Sequence, residues 1–224
     1  MTDAAAADDR LDVWDALGVV AALAIAAFFT FPLWLPAIQH QFPPAPAIAA
    51  TVKVTTATGH GSGVHIGNGL ILTAAHVVAK HDTATVKTTD DTRGAEVLWA
   101  SAAYDVALLT TSSSDLQSLP LSCVTPDVGT PVTAYGNPLG MEFVRTSGQV
   151  VGPVGSALGI PGAYPVDMTI IPGMSGGPLV DLHGQVVGIS VAVMTFPVGF
   201  GSQLTGIGMA VSGEAVCELM GRGS

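Results

Sequence analysis

From about residue 49 onward the chain is cut into short apolar runs by turn signals spaced roughly 8 to 15 residues apart. Such spacing leaves little room for anything but short antiparallel strands. "GVHI" and "LILTAAHVV" flank Gly67-Asn68-Gly69, a hairpin signature. "ATVKT", "AEVLWA" and "DVALLT" follow, then a polar loop, "SSSDLQSLPLSCVTPDVGTP". Beyond it come "VTAYG", "FVRTSGQVVG", "MTII", "PLVD", "QVVGISVAV" and "GIGMAV". About six strands on each side of the loop predict a mostly β protein of two six-stranded antiparallel β-barrels, at about 49–110 and 130–211. Composition points the same way: with 27 glycines, 15 prolines and only 11% charged residues in 224, strands and turns are favoured over helical bundles. One C-terminal helix is expected over 212–221, capped by Ser212, with Ala215, Val216 and Leu219 on one apolar face.

Ahead of this domain lies a different kind of segment. Residues 16–38, "ALGVVAALAIAAFFTFPLWLPAI", carry no ionisable side chain over 23 residues, enough for one N-terminal transmembrane helix across about 30 Å of hydrocarbon. Trp14 and Trp34 lie near its ends, where indoles favour the membrane interface, while Pro32 and Pro36 end or kink the helix early. A buried core helix would show a polar face, and a cleaved signal peptide would carry a basic n-region. This run has no polar face, and residues 1–15 are an acidic tail of five aspartates against Arg10. An uncleaved anchor is therefore expected, with the folded domain extracytoplasmic, although Arg10 and Lys53 give the positive-inside rule almost nothing to weigh. Residues 39–48 read as a Pro-rich linker and 49–224 as the folded domain.

Net charge is -10, with no Lys/Arg cluster and no aromatic residues interleaved with basic ones, which excludes nucleic-acid binding. His40, His60, His65, His81 and His183 lack the spacing of a zinc site, so neither metal nor cofactor is expected.

Chemistry is concentrated around Gly173-Met174-Ser175-Gly176-Gly177, a G-x-S-x-G pattern. A serine hydroxyl is a weak nucleophile until a base takes its proton and a carboxylate orients that base. One setting for the pattern is the strand-to-helix elbow of α/β-hydrolases, which needs an acid and then a histidine after the serine. Only Asp181 and His183 are candidates there, on the turn that leaves the serine loop and too close in sequence to swing back. Upstream, His76 and Asp105 supply the order His, Asp, Ser, which suits two barrels meeting at a cleft.

The segments "GSGVHIGNGLILTAAHVV", "YDVALL", "GNPLG", "RTSGQVVG", "DMTIIPGMSGGPLVDLHGQVVGIS" and "IGMAV" occur in the order found in trypsin-like (chymotrypsin-fold) serine peptidases of the HtrA/DegP-like branch. The resemblance covers roughly residues 58–212. It implies His76 as general base, Asp105 as its orienting carboxylate and Ser175 as nucleophile, with Gly173 and Ser175 N–H groups as the oxyanion hole. It also implies that Thr169, Ala192, Val193 and Gly206, all uncharged, lie by the pocket for the residue before the scissile bond. A small or aliphatic side chain, selected loosely, is expected there. Asp167 matches an aspartate of the family's loop pattern and implies structural support. Cys123 and Cys217 fall in regions that some trypsin-like proteases bridge, so a disulfide between them is an expectation, two buried thiols being the alternative.

Two departures stand out. Met174 replaces the Asn or Asp usual at that position, which puts the resting shape of the loop in question. PDZ domains usually follow the protease in this branch, and none is expected in this chain. The expected partners are a protein or peptide substrate and the membrane, and the resemblance leaves a trimer open. The function expected is a membrane-anchored serine endopeptidase; an inactive protease-fold scaffold and an esterase-type hydrolase are the alternatives.

Overall fold

A computed structural model describes residues 19–21, 46–112, 115–198 and 201–221, with the side chains of 192–198 and 201–204 outside the description. The expected anchor thus falls almost wholly outside the described residues; 19–21 are helical. Among the described residues no helix is long and apolar enough to cross a membrane.

Six strands form the first barrel: β1 (Thr51–Thr56), β2 (Gly59–Gly67), β3 (Leu70–Thr73), β4 (Thr83–Lys87), β5 (Thr92–Ser101) and β6 (Val106–Thr110). They close in the order β1-β2-β3-β6-β5-β4, every pair antiparallel. Alternation accounts for the interior: Val52 and Val54 of β1 and Val86 of β4 point inward with Ile71 and Leu109, while Lys53 and Thr55 point out. The β2–β3 turn is the predicted one, and Gly67, Asn68 and Gly69 all have positive φ, which glycine and asparagine accept most readily.

Strands β7 (Pro131–Gly136), β8 (Val144–Val150), β9 (Gly155–Ala157), β10 (Ile160–Asp167), β11 (Pro178–Val180), β12 (Val186–Val198) and β13 (Gly201–Ser212) build the second barrel. Their order is β13-β12-β11-β7-β8-β10-β9, and β10 also pairs with β13. Closure therefore takes six strands and leaves β9 as a flap on β10. Two expectations are corrected here. "MTII" is not a strand; the strand is Ile160–Asp167, just upstream, whose Pro161, Gly162 and Pro165 hide its alternation although Tyr164 and Val166 are fully buried. "LILTAAHVV" is not one strand either, because β3 stops at Thr73 and a short helix follows.

The folded domain also starts earlier than predicted. Helix α1 (Pro46–Ala50) occupies the end of the supposed linker, with Ala47 and Ala50 fully buried in the first barrel's core. Proline suits the first helical position because its fixed φ is already helical. The Thr51 hydroxyl donates to the Ala47 carbonyl (2.7 Å), tying α1 to β1. Helix α2 (Ala75–Val78) carries His76, and α3 (Gly213–Leu219) closes the chain. Ser212 caps α3 as predicted, its hydroxyl accepting the Ala215 N–H (3.2 Å).

Cys123, in the inter-barrel loop, and Cys217, in α3, are joined by a disulfide with Cα atoms 5.6 Å apart. The two positions are 94 residues apart, so the bridge removes much freedom from the unfolded chain. Replacing both cysteines by alanine should lower the free energy of unfolding by about 2–5 kcal/mol, read from urea midpoints under non-reducing conditions.

Candidate active site

His76 is presented by the first turn of α2, immediately after β3 ends. Asp105 sits in the turn before β6 with φ of 53°, a left-handed conformation unusual for a residue with a side chain. Three hydrogen bonds join this turn to α2. The Asp105 carbonyl accepts the Ala75 N–H (3.1 Å), Oδ1 accepts the His76 N–H (2.9 Å), and Oδ2 lies 2.7 Å from His76 Nδ1. The carboxylate thus orients both the backbone and the ring of His76. With Nδ1 as donor to the carboxylate, the neutral ring keeps a lone pair on Nε2. The Asp105 side chain is 19% exposed and that of His76 49%, so the acid is shielded while the ring opens to solvent.

Ser175 belongs to the other barrel, in the loop from Ile171 to Gly177. Two turns shape that loop: the Met174 N–H donates to the Ile171 carbonyl and the Gly177 N–H to the Met174 carbonyl, both at 2.9 Å. On one side β12 holds it, through Gly176 N–H to the Ser190 carbonyl (2.6 Å), Ser190 N–H to the Gly177 carbonyl (2.9 Å) and the Ser190 hydroxyl to the Met174 carbonyl (2.7 Å). On the other side β2 holds it, through Ser62. The Ser62 N–H donates to the Ser175 carbonyl (2.8 Å) and the Ser62 hydroxyl to the Gly173 carbonyl (2.7 Å), while that hydroxyl accepts the Asn137 N–H (2.8 Å).

Gly176 packs so closely on Ser62, Thr73 and Ala74 that a Cβ there would lie 2.6 Å from the Ala74 nitrogen. The serine turn therefore lies directly against the segment that carries His76. Ser175 Oγ makes no hydrogen bond with another described residue, and the bond between nucleophile and base in such sites is often long without substrate. Gly173 has φ of 98°, and neither its N–H nor that of Ser175 donates to a described acceptor.

Met174 turns out to be a core residue. It is 1% exposed and packs in the second barrel with Val132, Leu179 and Ile170. The unusual side chain therefore serves as an apolar plug, and hydrogen bonds at both its N–H and its carbonyl hold the loop's backbone. Thr169 is exposed, and Gly206, with φ of 80°, would have open space around a Cβ. Ala192 and Val193 lie on β12 opposite Met209 and Gly208, with their side chains outside the description. Asp167 is exposed on β10 and its carboxylate bonds to nothing in the serine loop; its backbone carbonyl packs against Gly148.

Ser62 and Asn137 went unnoticed in the sequence. The signal for the first was present in "GHGSG": glycines inside a strand mark places where another backbone comes close. Both flanks obey this rule, since a Cβ on Gly61 would lie 2.9 Å from the Ser175 carbonyl oxygen and one on Gly63 would run into the Leu72 carbonyl. Ser62 is fully buried, so Ser62→Ala strands the Asn137 N–H and the Gly173 carbonyl. The expected cost is about 1–3 kcal/mol of stability, measured by thermal unfolding, with a fall in kcat as the Gly173 loop loosens.

A profile of the family described as "Trypsin-like peptidase domain" matches residues 61–189, which includes His76, Asp105 and Ser175. The chain belongs to the trypsin-like peptidase family. This trypsin-like peptidase domain is 36% identical over 169 residues to a "Probable periplasmic serine endoprotease DegP-like" of Pseudomonas fulva, covering 73% of the chain and 35% of the relative. It is 34% identical to the protein of the same description in Hahella chejuensis, covering 71% and 34%. The chain thus spans about a third of the length of these curated relatives. Among solved structures, the HtrA-type protease AlgW with tripeptide superposes with a TM-score of 0.70 at 28% identity, covering 79% of this chain and 60% of that one. An inactive form of Rv3671c from M. tuberculosis H37Rv superposes with a TM-score of 0.65 at 26% identity, covering 79% and 88%.

Proposed function

We propose that this chain is a serine endopeptidase in which Ser175 Oγ attacks the scissile carbonyl, His76 takes its proton, and Asp105 stabilises the imidazolium that forms. The observation that carries the reading is the double fastening of His76 to Asp105 on one barrel, with the Ser175 loop bonded to β2 of that same barrel. As the tetrahedral intermediate forms, its oxygen becomes an anion, and the Gly173 and Ser175 N–H groups donate to it. Collapse expels the amine, which takes the proton from His76 and leaves an acyl-enzyme on Ser175. Water then repeats the cycle with His76 again as base.

The uncharged set Thr169, Ala192, Val193 and Gly206 supports a loose preference for small or aliphatic residues before the scissile bond. Residues 16–38 would hold the enzyme at a membrane. The relatives' description as periplasmic supports an extracytoplasmic placement of the protease domain. The test is labelling of the full chain with a fluorophosphonate, with Ser175→Ala as control, followed by a casein digest. Labelling of the wild type alone, together with casein cleavage, is the expected result. Equal labelling of both, or none, would leave a protease-fold scaffold, and labelling without casein cleavage an esterase-type hydrolase.

A further inference from the structure

The serine loop is clamped between two strands, and the two sides are chemically unlike. On the β12 side lie the uncharged residues assigned above to the acyl half of the substrate. On the β2 side lies His60. A Cβ on Gly173 would stand 2.6 Å from the Asn137 carbonyl oxygen, 3.0 Å from Pro138 Cα and 3.3 Å from His60 Nε2. The imidazole of His60 therefore lies against the glycine expected to donate to the oxyanion. It is exposed, and it makes no hydrogen bond or ion pair with another described residue. Its ring nitrogens form a polar tip that can donate or accept, and they are bonded to no other described residue.

The surroundings give that tip a sign. On β1, β2, the serine loop and the 137–145 segment, the only acid is Glu142. Lys53 of β1 and Lys87 of β4 both bond Glu142, at 3.3 Å and 2.7 Å, and hold its carboxyl below the usual range, Lys87 the more strongly. Arg145 of β8, the cross-strand partner of Tyr135, is exposed. Thr55 is the cross-strand partner of His60, and Lys53 that of Ser62 one step along the same face. The remaining titratable neighbours are spoken for: His65 is buried with both ring nitrogens bonded, His81 bonds Thr58, and His76 bonds Asp105. No free carboxylate on these elements competes for His60.

We infer that His60 is a specificity-determining residue for the leaving half of the substrate, favouring an acidic side chain immediately after the scissile bond. The inference rests on the reading of Ser175 as nucleophile. With the scissile carbonyl over Ser175 and its acyl side chain toward β12 and β13, the chain beyond the bond must leave across the opposite side of Gly173. That path crosses His60 and Pro138. A protonated imidazole there pairs with an aspartate or glutamate side chain, and a neutral one offers it a weaker hydrogen bond.

The test uses the full chain and two peptides built on a casein site that it cleaves, identical except for Asp or Asn just after the scissile bond. The ratio of their kcat/KM values is measured near pH 6 and near pH 8. Any effect of pH on the chemical step common to both peptides divides out of the ratio. The ratio should be about 2- to 5-fold higher at the lower pH. His60→Gln should flatten it, and His60→Lys should hold it high at both pH values, a gain that a misfolded variant would not give. A wild-type ratio that does not move with pH, or one that both variants leave unchanged, overturns the inference. Failure of the chain to cleave casein or to label at Ser175 instead overturns the peptidase reading beneath it, and this inference with it.

Discussion

Ser175→Ala should lower kcat on a peptide substrate by about a million-fold and leave the fold in place. The hydroxyl is the only atom removed, and it bonds no other described residue, so unfolding free energy should move by no more than about 0.5 kcal/mol. The kinetic loss is that of taking out the nucleophile while binding and oxyanion stabilisation persist. Single-turnover kinetics beside a thermal melt separate the two effects. A variant that retains a hundredth of the activity would show that another group attacks the carbonyl.

Asp105→Asn should be nearly as damaging for a subtler reason. Asp105 accepts twice, from the His76 N–H at Oδ1 and from Nδ1 at Oδ2. Asparagine can keep one acceptor, and the backbone bond that sets the start of α2 retains it most directly. Its amide would then face Nδ1 as a donor and hold the ring in the tautomer with the proton on Nε2. That nitrogen could no longer take the serine proton, so kcat should fall by about ten-thousand-fold with little change in KM. A loss below tenfold would mean that Asp105 serves only to shape the turn before β6.

Asp105 could be picked out because it opens the apolar run "DVALLT", and Ser175 because it sits in a G-x-S-x-G loop. The β2–β3 hairpin and the Ser212 cap were legible for a similar reason, since both depend on residues within three or four of one another. What escaped depends on distant partners. β10 contains two prolines and a glycine, so its strand character comes from pairing with β13 and β8 rather than from its own propensities. The end of β3 at Thr73 follows from the hydroxyl's bond to the Ser62 carbonyl (2.6 Å) and from the Asp105 turn that receives α2. The glycines flanking Ser62 mark a close approach of another backbone but do not say which, and its partners lie 111 and 75 residues away. Met174 was recognised as a departure, but its destination in the second barrel's core could not be read from one apolar side chain inside a glycine loop. The expected anchor at 16–38 lies almost wholly outside the described residues and stands on its hydropathy alone.

Ser62 also gives the molecule an internal gauge. One buried hydroxyl on the first barrel receives the second barrel's Asn137 and supports the carbonyl of Gly173. The two halves of the chain therefore cannot slide past each other without disturbing the loop that faces the substrate carbonyl. A change in how the barrels are seated should therefore register at Gly173 through a single oxygen.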